Sequence, residues 1–310
     1  MLVPLPASGH SDRMNDDHDI LCIGSVLWDV IGRAPGDMRQ GADMPGRITR
    51  LPGGVAMNIA VALARFGLRP ELLSAVGRDA EGDDLIRACA GLGVGTAHLY
   101  RHDDLPTDRY MAIEGANGLI AAIADAHSLE AAGARILRPL TDGALGSAAR
   151  PYRGRIALDG NLTRALLDEI ATHPALALAD LRVAPASPGK PERLAPFLRH
   201  GRAVLYVNRQ EAAILCQQGF DTSAQAASAL VARGAARALV TDGAGPASDA
   251  TAAGVTTLPS RRVAVARVTG AGDTFMAAHI AAEAAGQPPQ NALAHALDAA
   301  ATYVSGENPS

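Results

Sequence analysis

Residues 268–275 have the sequence VTGAGDTF, which is typical of a tight turn leading into a helix. A β-like run, residues 262–268, precedes the turn, and a long apolar helical pattern begins near Asp273. Two glycines allow the backbone to turn sharply and to approach a ligand closely. The unpaired N–H groups and the dipole at the start of the helix favour an anion at this turn.

Asp273 and the glycines before it suggest phosphoryl transfer to an alcohol. The helix dipole is expected to keep the Asp273 carboxylate ionised, so that it can accept a proton from the alcohol. The amides of Gly270, Ala271 and Gly272 could hold negative charge that develops on a phosphoryl group. A plain glycine turn with Asp273 as the helix cap fits these eight residues equally well, so both interpretations stay open.

The composition narrows the class of protein. The chain has 310 residues, of which 48% are hydrophobic and only 3% aromatic, so its core must be mainly aliphatic. A formal net charge of −4 argues against a nucleic-acid binder. Three cysteines without CxxC spacing indicate neither a disulfide framework nor a zinc site and suit a reducing compartment.

The termini and apolar runs suggest a cytoplasmic location. No apolar run reaches the length of a membrane span. Residues 1–18 are expected to be a loose leader, because they lack the apolar segment of a signal peptide.

Short apolar runs alternate with helical patterns, which predicts a mainly parallel sheet covered on both faces. No linker or internal repeat interrupts the pattern, so one domain with a flap is expected. The predicted strands include residues 20–26, 72–77, 156–159, 181–184, 203–207, 238–241, 247–251 and 255–258. The predicted helices include residues 163–172, 192–199, 209–217, 224–233, 273–285 and 290–304.

Several polar residues and glycines lie where such a sheet binds ligands. Asp29 follows the first strand, and ligands of open α/β sheets bind beyond the carboxyl ends of the strands. Gly53 and Gly54 precede a helix and would let a small molecule approach the backbone, with Asn58 one turn further on. The alternatives are a turn aspartate, a simple glycine turn and an asparagine that bonds its own backbone.

Two other segments leave the β–α pattern. Residues 109–113 and 119–124 predict a hairpin that, with residues 32–52, could form a small flap on the main sheet. Arg101 and His102, with Asp103 and Asp104, are expected in a solvated loop before this hairpin. Residues 242–245, DGAG, form a glycine turn after a strand, which could border a nucleotide or be only a turn.

Three motifs in order carry a family resemblance: Gly53-Gly54 with Asn58, Asn208-x-x-Glu211, and residues 269–273, TGAGD. Together they resemble the ribokinase-like (PfkB-type) family of carbohydrate and nucleoside kinases, from about residue 19 to the C-terminus. The resemblance implies a three-layer α/β/α fold with a mainly parallel central sheet and a small β-lid. It places the kinase domain at residues 19–310 and the lid at about 33–52 and 106–125.

The resemblance also implies transfer of the γ-phosphoryl group of ATP to a hydroxymethyl group. Asp273 would be the base, and Gly270, Ala271 and Gly272 would form the anion hole. Glu211 and Asn208 would organise Mg²⁺. The nucleotide would be bordered by Asn208, Thr241, Gly243, Gly245, Gly270 and Gly272, and the substrate would be held by Asp29, Gly53, Gly54, Asn58 and Asp125. Family likeness further implies a homodimer formed through the lids.

Within the family, the chain is most similar to the pseudouridine kinases. The similar pieces are residues 46–48, 51–55, 72–77, 122–125 and 185–187, with Lys190. Pseudouridine is therefore the expected substrate, with ribose, fructose, adenosine or inosine as alternatives. Leu27, Trp28 and Met57 could form an apolar base pocket or could be ordinary core residues.

The chain departs from the family pattern at several positions. Five positions carry side chains that cannot make the hydrogen bonds expected from the family, or that make different ones: Leu27, Met57, Ala124, His127 and Ala184. These changes bear on substrate choice. Arg267 replaces an aspartate that helps many members bind a monovalent cation, which argues against activation by K⁺.

Two other classes of function fit less well. A non-catalytic binding protein of the same fold would not need Asp273, Glu211 and the glycine turn together. A nicotinamide dehydrogenase would need GxGxxG after the first strand, whereas the chain has Gly24-Ser25-Val26-Leu27 there.

Overall fold

The computed structural model describes residues 18–185 and 191–307. Most of the predicted leader, residues 1–17, lies outside the described residues, as do the pseudouridine-kinase-like positions Ala186, Ser187 and Lys190.

Fourteen strands occur in the described part of the chain and form three sheets. They are β1 Ile20–Ile23, β2 Leu27–Arg33, β3 Arg47–Gly53, β4 Pro70–Leu73, β5 Ala75–Gly77, β6 Tyr100–His102, β7 Arg109–Gly115, β8 Gly118–Asp125, β9 Arg155–Asp159, β10 Asp180–Ala184, β11 Val204–Asn208, β12 Arg237–Thr241, β13 Ala247–Thr251 and β14 Gly254–Leu258. The α-helices are α1 Val55–Arg65, α2 Ala80–Gly91, α3 His127–Ala132, α4 Arg138–Thr141, α5 Arg164–Thr172, α6 Ala195–His200, α7 Arg209–Cys216, α8 Ser223–Ala232, α9 Ala271–Ala284 and α10 Pro289–Ser305.

The main sheet has the order β14-β13-β12-β11-β10-β9-β1-β4. Its strands from β12 to β4 are parallel, whereas the pairs β12–β13 and β13–β14 are antiparallel. All four residues of β1 are buried because helices cover both faces. Helices α1, α2, α9 and α10 pack on one face, and α5 to α8 pack on the other. The three-layer α/β/α prediction is confirmed.

Helix α9 lies deep in its layer, where it contacts both α1 and α10. Its side chains from Phe275 to Ile280 are all buried. An apolar surface around the whole helix is expected for a helix enclosed by other elements. The packing therefore fixes the position of the turn that precedes α9. No helix in residues 18–185 or 191–307 is long and apolar enough to cross a membrane.

The flap is a separate four-stranded sheet with the order β3-β2-β7-β8, and we call it the lid. Strands β2 and β7 are parallel, and the outer pairs are antiparallel. The lid sheet starts at Leu27, earlier than residue 33, so Asp29 lies on a lid strand and not in a turn after β1.

Several elements differ from the sequence predictions. Residues 262–268 form no strand: Val265 and Val268 are exposed, and the backbone amides of Ala266 and Arg267 donate to the carbonyl of Val304 at the end of α10. Residues 72–77 are two strands, because the chain leaves the main sheet at Ser74 and pairs with β6.

The region before and after the lid hairpin was also predicted incorrectly. Arg101 and His102 belong to strand β6, and His102 is buried, so only Asp103 and Asp104, which are exposed, fit the predicted solvated loop. Helices α3 and α4, which follow the lid, were not predicted from the sequence. They are only six and four residues long, too short to show a clear helical period.

Candidate active site

The turn before α9 is shaped by Gly270. This residue is the N-cap and has a φ of 89°, in the left-handed region that favours glycine. A Cβ there would lie 2.5 Å from the Tyr303 hydroxyl oxygen, whereas a Cβ on Gly272 would meet nothing within 4 Å. The space in front of Gly272 is therefore open to a ligand. Asp273 makes no capping hydrogen bond, so the simple cap interpretation is wrong.

Asp273 is a partly buried carboxyl with a strongly shifted pKa. Its removal from water, together with the nearby charges of Asp159 and Glu211, raises the pKa to about 7. A hydrogen bond from the Asn58 side chain opposes this shift. Burial therefore opposes the ionisation that the helix dipole was expected to favour. A carboxylate with a pKa near neutrality suits a general base.

The glycine pair before α1 allows two close approaches. A Cβ on Gly53 would lie 2.0 Å from a carboxylate oxygen of Asp29. Gly54 has a φ of 99°, and its Cβ would lie 2.5 Å from the Ser25 carbonyl oxygen. A larger residue at position 53 would therefore displace the Asp29 side chain, and one at position 54 would collide with the Ser25 backbone. This packing brings Asn58, one turn into α1, to Asp273.

Asp29 and Asp125 both belong to the lid, but the structure does not bring them together. Asp29 is half-buried, and burial raises its pKa to about 6. The strand pairing puts Asp29 opposite Tyr110, and Asp125 opposite Arg109, so the two side chains alternate to different faces. Asp125 is exposed and lies 2.7 Å from Nδ1 of His127, which raises the pKa of that histidine.

Asn208 and Glu211 form a reciprocal capping box at the start of α7. The backbone amide of Glu211 donates to Asn208 Oδ1 at 2.8 Å, and the backbone amide of Asn208 donates to Glu211 Oε2 at 2.7 Å. Burial raises the pKa of Glu211. The box orients the Glu211 carboxyl, which is close enough to Asp273 to influence its pKa.

The predicted nucleotide residues lie next to this box. Thr241, at the end of β12, pairs with Asn208, at the end of β11. In the following turn the Gly245 amide donates to the Asp242 carbonyl at 2.7 Å, and Gly243 has a φ of 56°. The ends of two parallel strands and the glycine turn therefore form one continuous edge.

The donor set suits a magnesium ion that keeps most of its water. Within the described residues, no three His, Cys, Asp or Glu side chains form a group that could hold a metal ion. Mg²⁺ commonly binds through one or two carboxylates together with substrate phosphates and water. Glu211, which is close enough to Asp273 to raise its pKa, fits that pattern.

Sequence reasoning missed one buried polar group and left another question open. Asp159, at the end of β9, is fully buried and accepts hydrogen bonds from Ser25. The strand-end argument applied to Asp29 would also have found it.

Leu27, Trp28 and Met57 are at most 8% exposed, so they are core residues and not a pocket for a base.

Comparisons with known proteins agree with the fold. A pseudouridine kinase of Escherichia coli K12 is 38% identical over 81 residues, which cover 26% of each chain. A carbohydrate kinase from Agrobacterium tumefaciens is 27% identical, with a TM-score of 0.76 over 91% of this chain and 89% of that one. The ribokinase of Arabidopsis thaliana, solved with ribose and ATP, shares the fold at 20% identity, with a TM-score of 0.72 over 93% and 92%.

The match to curated relatives is partial, whereas the match to the family is not. The chain spans 26% to 40% of the length of the four curated relatives compared. The family model for pfkB carbohydrate kinases matches residues 17–310. The predicted family resemblance is confirmed, and the chain belongs to the pfkB family of carbohydrate kinases.

Proposed function

We propose that this protein transfers the γ-phosphoryl group of ATP to the hydroxymethyl group of a ribosyl substrate. The observation that carries the proposal is the start of α9, where Asp273, with a pKa of about 7, lies one residue beyond the open space at Gly272. Phosphoryl transfer depends mainly on positioning and on neutralising charge, and this turn supplies both.

Asp273 acts as the base that accepts the proton of the substrate hydroxyl. Asn58 orients the Asp273 carboxylate through its side-chain amide. In this proposal the backbone amides of Gly270 and Gly272 stabilise the charge of the transferring phosphoryl group. The Ala271 amide, which was predicted to share this role, donates instead to the Val268 carbonyl at 3.1 Å. Glu211, fixed by Asn208, would hold Mg²⁺ through its water, and the bound ion would supply positive charge against the phosphates. Gly243 and Gly245 leave room for the nucleotide beside Thr241.

Pseudouridine is the substrate that we propose within the ribosyl class. The Escherichia coli pseudouridine kinase shares 38% identity over its matched segment, which supports this choice over a plain sugar. The face of the lid that carries Asp29 also carries Leu51, Tyr110 and Ala124, by the strand pairing. Because Leu27, Trp28 and Met57 are in the core, this lid face is the surface available to a base. Ribose, fructose, adenosine and inosine are the alternatives.

The opposite face of the lid supports a homodimer. Four large apolar side chains on that face are at least 40% exposed: Ile48, Met111, Ile113 and Ile123. An apolar sheet face of this kind is unusual in a monomer. Replacing Ile123 by Lys is expected to convert a dimer to a monomer in sedimentation at micromolar concentration. A wild-type monomer under the same conditions would contradict the dimer.

We propose a cytoplasmic location because the cysteines form no disulfide. Cys22, Cys89 and Cys216 are all free and buried. Unpaired cysteines are usual in reducing compartments.

The function is tested by ADP release from Mg·ATP with pseudouridine, uridine, adenosine, inosine, ribose and fructose. The wild-type protein is compared with Asp273→Asn and with Asp104→Asn, a control at an exposed loop position. Turnover that is highest on pseudouridine and lost only in Asp273→Asn supports both reaction and substrate. Higher turnover on another compound overturns the substrate alone. Absence of turnover on every compound, with ATP still bound, contradicts the proposed reaction.

A further inference from the structure

The carboxylate of Asp159 connects the end of β9, the turn at Ser25 and the start of α1, and we call Asp159 and Ser25 the junction. Asp159 lies at the end of β9, beside β1 in the middle of the main sheet, and is 0% exposed. It accepts hydrogen bonds from the backbone amides of Ser25 at 2.9 Å, Asn161 at 2.7 Å and Ala56, and from the Ser25 hydroxyl. A buried carboxylate with four donors is well satisfied, so its place in the fold is strongly fixed.

Ser25 extends this junction to the first turn of α1. Its hydroxyl oxygen accepts from the Val55 amide at 2.9 Å, and its carbonyl accepts from the Met57 amide at 3.3 Å. The N-cap residue of α1, Gly54, has no side chain to cap these amides. Ser25 and Asp159 therefore satisfy the first-turn donors that a helix leaves unpaired.

The packing around the junction leaves little freedom. A Cβ on Gly24 would lie 2.3 Å from Cβ of Asp159, and one on Gly54 would lie 2.5 Å from the Ser25 carbonyl oxygen. Helix α1 also packs directly against α9. One turn beyond the junction, Asn58 donates to Asp273. The path from Asp159 to Asp273 thus runs through Ser25, the start of α1 and Asn58.

We propose that Asp159 is a positioning residue that acts through Ser25 on the first turn of α1 and so holds Asn58 against Asp273. The inference deepens the proposed kinase reaction and depends on it for its catalytic consequence. Asp159 does not touch the substrate in this account. It fixes the geometry in which the base works.

The proposal also has an electrostatic consequence. The groups that shift the pKa of Asp273, besides burial, are the side-chain amide of Asn58 and the carboxyls of Asp159 and Glu211. Asp159→Asn removes one of the two negative neighbours, so the proton on Asp273 becomes easier to lose. The acid limb of the kcat–pH profile should therefore move to lower pH, which a merely structural loss would not produce.

The test compares Ser25→Ala, Asp159→Asn and the control Tyr206→Phe. Tyr206 also loses one buried hydroxyl, but at the other end of α9, where it contacts His279 and Arg182. For each variant we would measure kcat, KM for ATP, the pH profile, and hydrogen–deuterium exchange of the peptide that covers residues 54–58. The exchange measurement needs no turnover.

Ser25→Ala is expected to lower kcat by about tenfold, as one lost positioning contact does. KM for ATP should stay nearly constant, and exchange at residues 54–58 should accelerate. Asp159→Asn should shift the acid limb by about half a unit to one unit. Tyr206→Phe should change neither exchange at residues 54–58 nor the acid limb.

The proposal is overturned if Ser25→Ala leaves both kcat and exchange at residues 54–58 equal to those of Tyr206→Phe. An unmoved acid limb in a folded Asp159→Asn would also count against it. If the wild-type protein phosphorylates none of the compounds tested, the proposed reaction fails. The exchange comparison then still decides whether Ser25 and Asp159 hold the start of α1.

Discussion

The two ends of helix α9 carry similar carboxyl groups in opposite electrostatic states. Asp273 lies in the first turn, where the groups that shift its pKa are an amide and two carboxyls. Glu283 lies in the last turn, where it forms ion pairs with Arg182 and Arg237. The pKa is raised to about 7 for Asp273 and lowered to about 2 for Glu283.

Burial raises the pKa of both carboxyls, so burial alone does not separate them. The two arginines reverse the effect at Glu283 and are themselves tied to Asp180 and Asp249. A buried, fully paired cluster anchors that end of the helix to β10, β12 and β13. The other end holds a carboxyl that can exchange a proton near neutral pH. One helix therefore combines a fixed end with a reactive end.

The largest effect is expected at the reactive end. Asp273→Asn should lower kcat by about 10² to 10⁴, the range for loss of a general base. The pKa of Asp273 is higher in the folded protein than in the unfolded chain. Ionisation of this carboxyl at pH values above its unfolded pKa therefore destabilises the folded state. The variant should therefore melt at a higher temperature than wild type at pH 8 while binding ATP normally. Steady-state kinetics and thermal melting check this; unchanged kcat would show that Asp273 is not the base.

Glu283→Gln should act on stability instead. It leaves two buried guanidinium groups without their shared partner, at an expected cost of about 3 kcal/mol in the free energy of unfolding. Glu169→Gln, at an exposed position on α5, is the matched control and should stay within about 0.5 kcal/mol of wild type. Urea unfolding measures both. Equal stability of the two variants would contradict the anchoring role.

The stabilisation from Glu283 should also depend on pH. Its folded pKa of about 2 lies below the ordinary value of 4.5. The contribution is therefore complete above pH 4.5 and is lost as the pH falls toward 2. The difference in unfolding free energy between wild type and Glu283→Gln should shrink over that interval.

Smaller effects should distinguish two glycines of the reactive end. Gly270→Ala should destabilise the fold by about 1 to 2 kcal/mol, because its φ is positive and a methyl group would press on Tyr303. Gly272→Ala, with open space around its Cβ, should be neutral or stabilising by up to about 1 kcal/mol. Its methyl group should nevertheless raise KM for ATP. Normal ATP kinetics in Gly272→Ala would place the phosphates elsewhere.

The layered fold was predictable from the sequence because its strands and helices follow the two hydrophobic periods. The run of residues 20–26 and the helical pattern after Asp273 are examples, and both are buried as expected. Residues 262–268 misled the same reasoning, since their apolar alternation is not matched by a strand partner. Local pattern contains no information about which edges of a sheet are already paired.

The candidate site was predictable in its residue types but not in its electrostatics. Glycine turns and strand-end carboxyls pointed to Asp273 and Gly54 before any contact was known. The shifted pKa of Asp273 arises mainly from burial, with smaller contributions from Asp159 and Glu211, which are 114 and 62 residues away in the sequence. The different faces of Asp29 and Asp125 follow from strand pairing, which the sequence did not specify. Long-range packing determined both.

The pH dependence of kcat tests the role of Asp273 most directly. With saturating Mg·ATP and acceptor, ADP release should rise with pH through a midpoint near 7, because only the ionised carboxyl accepts a proton. The same limb should be absent from the residual activity of Asp273→Asn. A wild-type profile that is flat from pH 5.5 to 8.5, or a limb that persists in Asp273→Asn, would contradict the assignment of Asp273 as the base.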